Sequence, residues 1–175
     1  IALILPRLHV FPLRVKMALS FSASAIWPSV SSGGNHTREM PQLAKSASVA
    51  EFVAMRVEYP GAKLLVVAPN IEVAKAYWSH LAGCGHEARI ATSDDTPLAR
   101  RNLDDFKRGA YRVLVTVAMA YEGLNVPEVA VICCLSHIRS VPWLEQCFAR
   151  ANRLSPGKRR AVVFAPADWA FRKAV

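Results

Sequence analysis

"RVLVTVAMAYEGLNVPEVAVICCL" (Arg112–Leu135) holds two short runs, RVLVTVA and VAVICCL, that are apolar at nearly every position. A strand with one wet face alternates polar and apolar residues, so an unbroken run must be covered on both faces. Between the runs, Gly123, Asn125 and Pro127 supply turn chemistry. Strands apolar on both faces, where they alternate with amphipathic helices, imply a parallel sheet covered on both sides.

The pattern repeats outward. KLLVVA (63–68), EARIAT (87–92) and AVVFA (161–165) read as further strands. AKSASVAEFVAMRVEY, ended by Pro60-Gly61, reads as a helix, as does IEVAKAYWSHLAG. TPLARRNLDDFKRG reads as a third, with Thr96 as N-cap, Pro97 in the first turn and Gly109 past the end. WLEQCFARANRL (143–154) is a fourth, and a last helix is expected from Asp168. The expected architecture is α/β, a parallel sheet with helices on both faces. In such sheets ligands gather at the carboxyl ends of the strands. That rule puts VAPN (67–70), TVAMAYEGLNVP (116–127) and LSHIRS (135–140) on one rim.

Composition bounds the rest. The chain has 175 residues, 53% hydrophobic and 20% charged, which fits a globular domain rather than a disordered one. The net charge of +9 sits at the ends. Residues 1–38 carry four basic and no acidic residues, 39–138 ten against eleven, and 139–175 eight against two. A basic surface suits a polyanion or merely keeps the protein soluble. Cys84, Cys133, Cys134 and Cys147 have no metal-ligand spacing. The adjacent pair in an apolar run reads as buried thiols of a cytoplasmic protein. Residues 1–38 read as a leader, or the remnant of a preceding domain, and SSGGNHT (31–37) as a linker. Pro6, Pro12, Pro28 and interspersed charges leave no stretch able to span a bilayer. Residues 39–175 are expected to form the functional domain.

On the fourth helix Gln146, Arg150 and Arg153 fall at i, i+4 and i+7, one stripe on an ideal helix. Leu144, Cys147, Phe148, Ala151 and Leu154 fall on the other side. VLVTVAMAYEGLNVPEV resembles motif V of superfamily 2 helicases, and EQCFARANR resembles their motif VI, Q-x-x-G-R-x-x-R. AKLLVVAPNIEVAKAYWSHL resembles motif IV, and ATSDDTPLARRNLDDFKRGAYRVLVTV the usual approach to motif V. The likeness covers roughly residues 40–170 and is nearest the branch of phage helicases and restriction-enzyme translocase subunits. It implies the second, C-terminal RecA-like lobe of an ATP-driven nucleic-acid motor.

By that resemblance Arg153 is the arginine finger, Arg150 its neighbour, and Gln146 orients water or phosphate. Gly123 and Asn125 would touch nucleotide, and Asn70, Thr116 and Arg139 nucleic acid, DNA in preference to RNA. Ala149 stands where glycine is usual, and Asn125 and Ala118 where acids are common. The sequence has no G-x-x-x-x-G-K-[ST] loop and no DEAD/DEAH-like acidic box after an apolar strand, and its SDDT and LDDF read as part of a turn and of a helix. ATP and Mg2+ would therefore be bound jointly with an N-terminal RecA-like lobe, and the chain alone is expected to be inactive. The alternative is a non-catalytic module that only holds nucleic acid or a protein. A doubly wound small-molecule enzyme would need an acid, base or nucleophile on the rim, and no such set stands out. Lys158, Arg159 and Arg160 read as a solvated basic turn or a nonspecific DNA contact, and Trp78, Trp143 and Trp169 as core residues.

Overall fold

The computed structural model describes residues 13–18, 36–117 and 124–166, with side chains described over 46–117 and 124–165. Six strands form one sheet: β1 (Leu13–Ala18), β2 (Lys63–Ala68), β3 (Ala88–Ala91), β4 (Val113–Val117), β5 (Val129–Cys134) and β6 (Ala161–Pro166). Their order is β1-β6-β5-β2-β4-β3, and every pairing is parallel. Four helices accompany them: α1 (His36–Glu58), α2 (Ile71–Gly83), α3 (Thr96–Arg108) and α4 (Val141–Ala149).

Residues of β2 to β6 enter two separate cores, one on each face. Leu65, Val67, Ile132, Cys134 and Val163 pack with Phe106 of α3 and with Leu144, Cys147 and Phe148 of α4. Leu64, Val66, Val131, Cys133 and Phe164 pack with Phe52 and Met55 of α1 and with Tyr77 and Leu81 of α2. β2 and β5 are buried throughout, which is why they carry no alternation. The expected parallel α/β sheet is thus the observed one.

Details differ from the sequence reading for identifiable reasons. β1 lies inside the stretch read as a leader. Leu13, Val15 and Met17 alternate with Arg14 and Lys16, the period of an edge strand, and the segment pairs with β6. α1 starts at His36, within the expected linker. The N-cap of α3 is Asp95, not Thr96: its carboxylate accepts from Leu98 N at 3.0 Å. Gly109 does end α3, at φ 80°, a left-handed conformation that suits glycine. The helix expected from Asp168, like Trp169, lies outside the described residues.

The exposed edge of β3 is guarded by side chains. Trp78 Nε1 donates to Ala88 O at 3.0 Å, and Asn102 Nδ2 donates to Ile90 O at 2.7 Å. Both carbonyls are thereby withheld from a foreign strand. Trp78 is 37% exposed, less a core residue than expected. Trp143 packs on the α3–α4 core. Cys133, Cys134 and Cys147 are buried free thiols. Cys134 is pushed up from the usual thiol range by a hydrogen bond with Cys147 and by burial. It is therefore a protonated, inert thiol.

Candidate nucleotide and nucleic-acid site

Helix α4 begins at Val141-Pro142, where a proline costs no hydrogen bond. It buries Leu144, Cys147 and Phe148 and exposes Gln146. The expected helix to Leu154 stops at Ala149. The chain then tightens, with Arg150 N to Cys147 O at 3.3 Å, Ala151 N to Phe148 O at 2.9 Å and Asn152 N to Ala149 O at 3.2 Å. These i→i−3 bonds are the usual tapering of a helix end. Arg153 therefore stands beyond the helix, off the ideal stripe.

Just past that end the chain meets a buried lysine. Lys158 is 4% exposed, and its Nζ donates to Ala151 O at 2.6 Å, Val129 O at 2.7 Å, Pro127 O at 2.9 Å and Arg153 O at 2.9 Å. An ammonium at a helix C-terminus satisfies orphan carbonyls and meets the negative end of the dipole. Burial pulls Lys158 down to about 8, with Glu128 opposing. The expected solvated turn is corrected here. Arg160 is also engaged, bridging Glu51 and, at 3.6 Å, Glu58 of α1, pairs that raise its affinity for the proton. Of the three cations only Arg159 is exposed without an ion pair among the described residues.

The motif V and motif VI segments meet through side chains. Arg153 donates from its guanidinium to Asn125 Oδ1, across 28 positions of sequence. Arg153 is half-buried and Asn125 exposed. The partner is a neutral amide, so this contact cancels none of the arginine's charge, and Arg153 forms no salt bridge among the described residues. Arg150 donates to Gln146 O at 2.6 Å, which holds it along the helix. Between them, the Asn152 amide oxygen is buried with no hydrogen-bond partner among the described residues. A donor from outside the lobe would satisfy it.

The other candidates lie elsewhere. Asn70 follows β2 and caps α2, its Oδ1 accepting from Val73 N at 2.9 Å. Arg139 follows β5 and folds onto its own loop, donating to Ser136 O at 2.9 Å and Ile138 O at 3.2 Å. β2 and β5 are neighbours, so both loops share the carboxyl edge of the sheet. Thr116 is corrected: it is 0% exposed, and its hydroxyl donates to Ala91 O at 2.9 Å on the neighbouring strand. A threonine so placed ties β4 to β3 and offers nothing to solvent. Gly123 lies outside the described residues. Asn125 and Arg153, tied by Lys158 to the start of β5, sit toward the amino edge. The one expected rim is therefore two sites, at opposite ends of the strands.

The phosphate-bearing cofactor fits this lobe only in part. Arg153 and Arg150 offer planar donors suited to phosphate oxygens. Among the described residues no group of three or more His, Cys, Asp or Glu side chains could hold a metal ion. No described helix is long and apolar enough to cross a membrane.

Two RecA-like features coincide here, an all-parallel sheet covered on both faces and a motif VI arginine resting on motif V. They define the class as the second lobe of a superfamily 2 helicase. The chain belongs to the family described as helicase conserved C-terminal domain, which it matches over residues 44–155. It is 32% identical over 104 residues to UvrABC system protein B of Clostridium botulinum, covering 56% of this chain and 16% of that protein. The same protein of Bacteroides thetaiotaomicron is 29% identical over 124 residues, 67% of this chain and 18% of that one. The chain thus spans less than a fifth of the length of these relatives. The fold is shared with the Pyrococcus furiosus Hef helicase domain (TM-score 0.54, 23% identity, 74% of this chain and 26% of that chain). It is shared too with the C-terminal domain of the DEAD-box protein Dbp5 (TM-score 0.54, 18% identity, 74% of each chain). S. cerevisiae Dbp5 bound to RNA and ADP BeF3 gives a TM-score of 0.53 at 18% identity, over 74% of this chain and 34% of that chain.

Proposed function

We propose that this chain is the C-terminal motor lobe of an ATP-dependent nucleic-acid helicase or translocase, supplying an arginine finger to a triphosphate site completed by an N-terminal RecA-like lobe. The observation that carries this is the Arg153 guanidinium, half-exposed, against the neutral Asn125 amide. Phosphoryl transfer builds negative charge on equatorial oxygens, and a guanidinium held without a carboxylate partner is available to meet it. Arg150 stands beside it, and Gln146 offers an exposed amide one turn earlier. Asn125, on the motif V segment, contacts nucleotide in this reading. ATP with Mg2+ would supply the driving reaction, and the residues for the metal would come from the other lobe.

Asn70 and Arg139, at the carboxyl edge, are the proposed nucleic-acid contacts. Backbone contacts of this kind position a strand without reading its sequence. DNA is the favoured polymer by the phage and restriction-subunit likeness, while the Dbp5 relative is one bound to RNA.

The test is reconstitution. This chain alone should not turn over ATP. Mixed with a matching N-terminal lobe, it should restore turnover stimulated by DNA or RNA, whichever is the true track. Arg153→Ala should then reduce kcat by roughly 10³–10⁵. Full turnover in that variant would remove the finger role, and no turnover in the mixture would leave a module that only binds nucleic acid or protein.

A further inference from the structure

We propose that Lys158 is a positioning residue for Arg153, a buried ammonium that locks the motif VI arginine against motif V. The inference rests on the arginine-finger reading and adds to it the group that sets where the finger stands.

Arg153 has left the helix, so the i→i−4 ladder no longer fixes its backbone. Its carbonyl is instead one of four gathered by Lys158 Nζ. Two of the four, Ala151 O and Arg153 O, belong to the arginine-bearing segment. The other two, Pro127 O and Val129 O, belong to the segment carrying Asn125. The ammonium therefore sits across the same junction as the Arg153–Asn125 contact, one layer deeper. It has three N–H groups for four acceptors, so at least one is shared, and the tetrahedral donor can reach both strands of chain at once. A planar guanidinium is not shaped to converge on four carbonyls around a point.

The turn that delivers Lys158 is built for the purpose. Gly157 adopts φ 81°, a left-handed conformation that L side chains rarely take. Lys158 N closes the turn onto Ser155 O at 3.0 Å. Ser155 Oγ in turn shares a 2.7 Å hydrogen bond with Tyr59 OH, just past α1. Arg160 clamps the following residues to Glu51 and Glu58 of the same helix. The lysine is thus driven inward by a turn anchored on the far side of the sheet. A helix cap needs only Ala151 O and its neighbours. Reaching Pro127 O and Val129 O as well is what joins the two motifs.

The test uses the isotopically labelled chain and the reconstituted two-lobe enzyme. The Asn125 side-chain amide resonance reports its contact with Arg153, and Arg153→Ala calibrates the loss of that contact. In Lys158→Met the Asn125 resonance should move toward its position in Arg153→Ala. Turnover should fall by about 10²-fold, the size expected when a catalytic group shifts by an ångström. Lys158→Met combined with Arg153→Ala should be no slower than Arg153→Ala alone, because both act through one group. Should Lys158→Met fail to fold, Lys158→Arg keeps the charge but replaces the compact ammonium with a longer planar group, and should still move the Asn125 resonance. An unmoved resonance in a folded variant would overturn the proposal, as would full additivity in the double variant. If Arg153→Ala itself leaves turnover unchanged, the finger reading fails, while the Asn125 resonance still judges the brace separately.

Discussion

Two buried lysines sit at the same edge of the sheet and do different work. Lys63, first residue of β2, is 1% exposed, and its Nζ donates to Lys107 O at 3.1 Å in the last turn of α3. Glu128 lies 3.5 Å away, and the Phe106 ring centroid 5.3 Å away. Lys158 has carbonyls alone around its Nζ, four of them. Both ammoniums thus meet the C-terminal end of a helix on the same face of the sheet, and burial lowers both below the usual lysine range. Lys63 answers one carbonyl and a half-exposed carboxylate that water can also serve. Lys158 answers carbonyls from two chain segments, the same two that meet through Arg153 and Asn125. Burial and residue type are the same in the two cases. What differs is how many backbone strands converge on the charge.

The comparison is tested most strongly by removing each charge. Lys158→Met should lose about 3 kcal/mol of unfolding free energy in urea, as expected when a buried polar network loses its centre. Lys63→Met should lose only about 1 kcal/mol, because one hydrogen bond goes and Glu128 rehydrates. Equal losses in the two variants would show that converging carbonyls confer no special dependence.

A smaller effect lies in pH. Lys158 titrates near 8 when folded and near 10.5 when unfolded. Below 8 both states hold the proton, and stability does not change through this group. Between about 8 and 10.5 the unfolded chain binds more protons, so raising the pH favours the folded state, by at most about 1.4 kcal/mol per unit. Lys63 acts in the same direction and is present in both proteins. The stability of the wild type relative to Lys158→Met should therefore rise across that window, read from urea midpoints at fixed temperature. A flat difference would mean that Lys158 is not desolvated as its burial implies.

How much of this was readable in advance follows the range of each interaction. Strands β2, β4, β5 and β6 announced themselves as unbroken apolar runs, because double coverage leaves its mark on every residue. Asn70 and Gly109 sit where local capping rules put such residues. The end of α4 did not show, since WLEQCFARANRL keeps helical periodicity to Leu154. Beyond Ala149 the carbonyls of Ala151 and Arg153 are taken by Lys158, whose chain position gives no hint that it turns inward. Lys158-Arg159-Arg160 after Pro156-Gly157 looks like any wet basic turn, and only the placement of α1 and β5 separates its three fates. Thr116 failed likewise: a hydroxyl at a strand end reads as a rim group until β3 is seen beside it. The Arg153–Asn125 contact was not among the sequence expectations, since nothing in the separate compositions of the two segments points to it.

The smallest predicted effect concerns a cap at the opposite, wet edge. Asn70 serves α2 through its amide oxygen alone, which leaves Nδ2 as its donor to anything outside. Asn70→Ala should lose about 0.5–1 kcal/mol of stability, the range for an exposed N-cap. Asn70→Asp keeps the oxygen and adds charge at the positive end of the helix, so stability should hold or rise slightly. If Asn70 also touches a nucleic-acid phosphate, the same aspartate should weaken binding, as it replaces a donor by a negative charge. Both variants are to be measured by urea unfolding and by titration with a single-stranded oligonucleotide at two salt concentrations. Stability retained with binding lost would separate the two roles of one side chain. Binding retained in Asn70→Asp would leave Asn70 as a cap and shift the nucleic-acid contact at this edge to the Ser136–Arg139 loop.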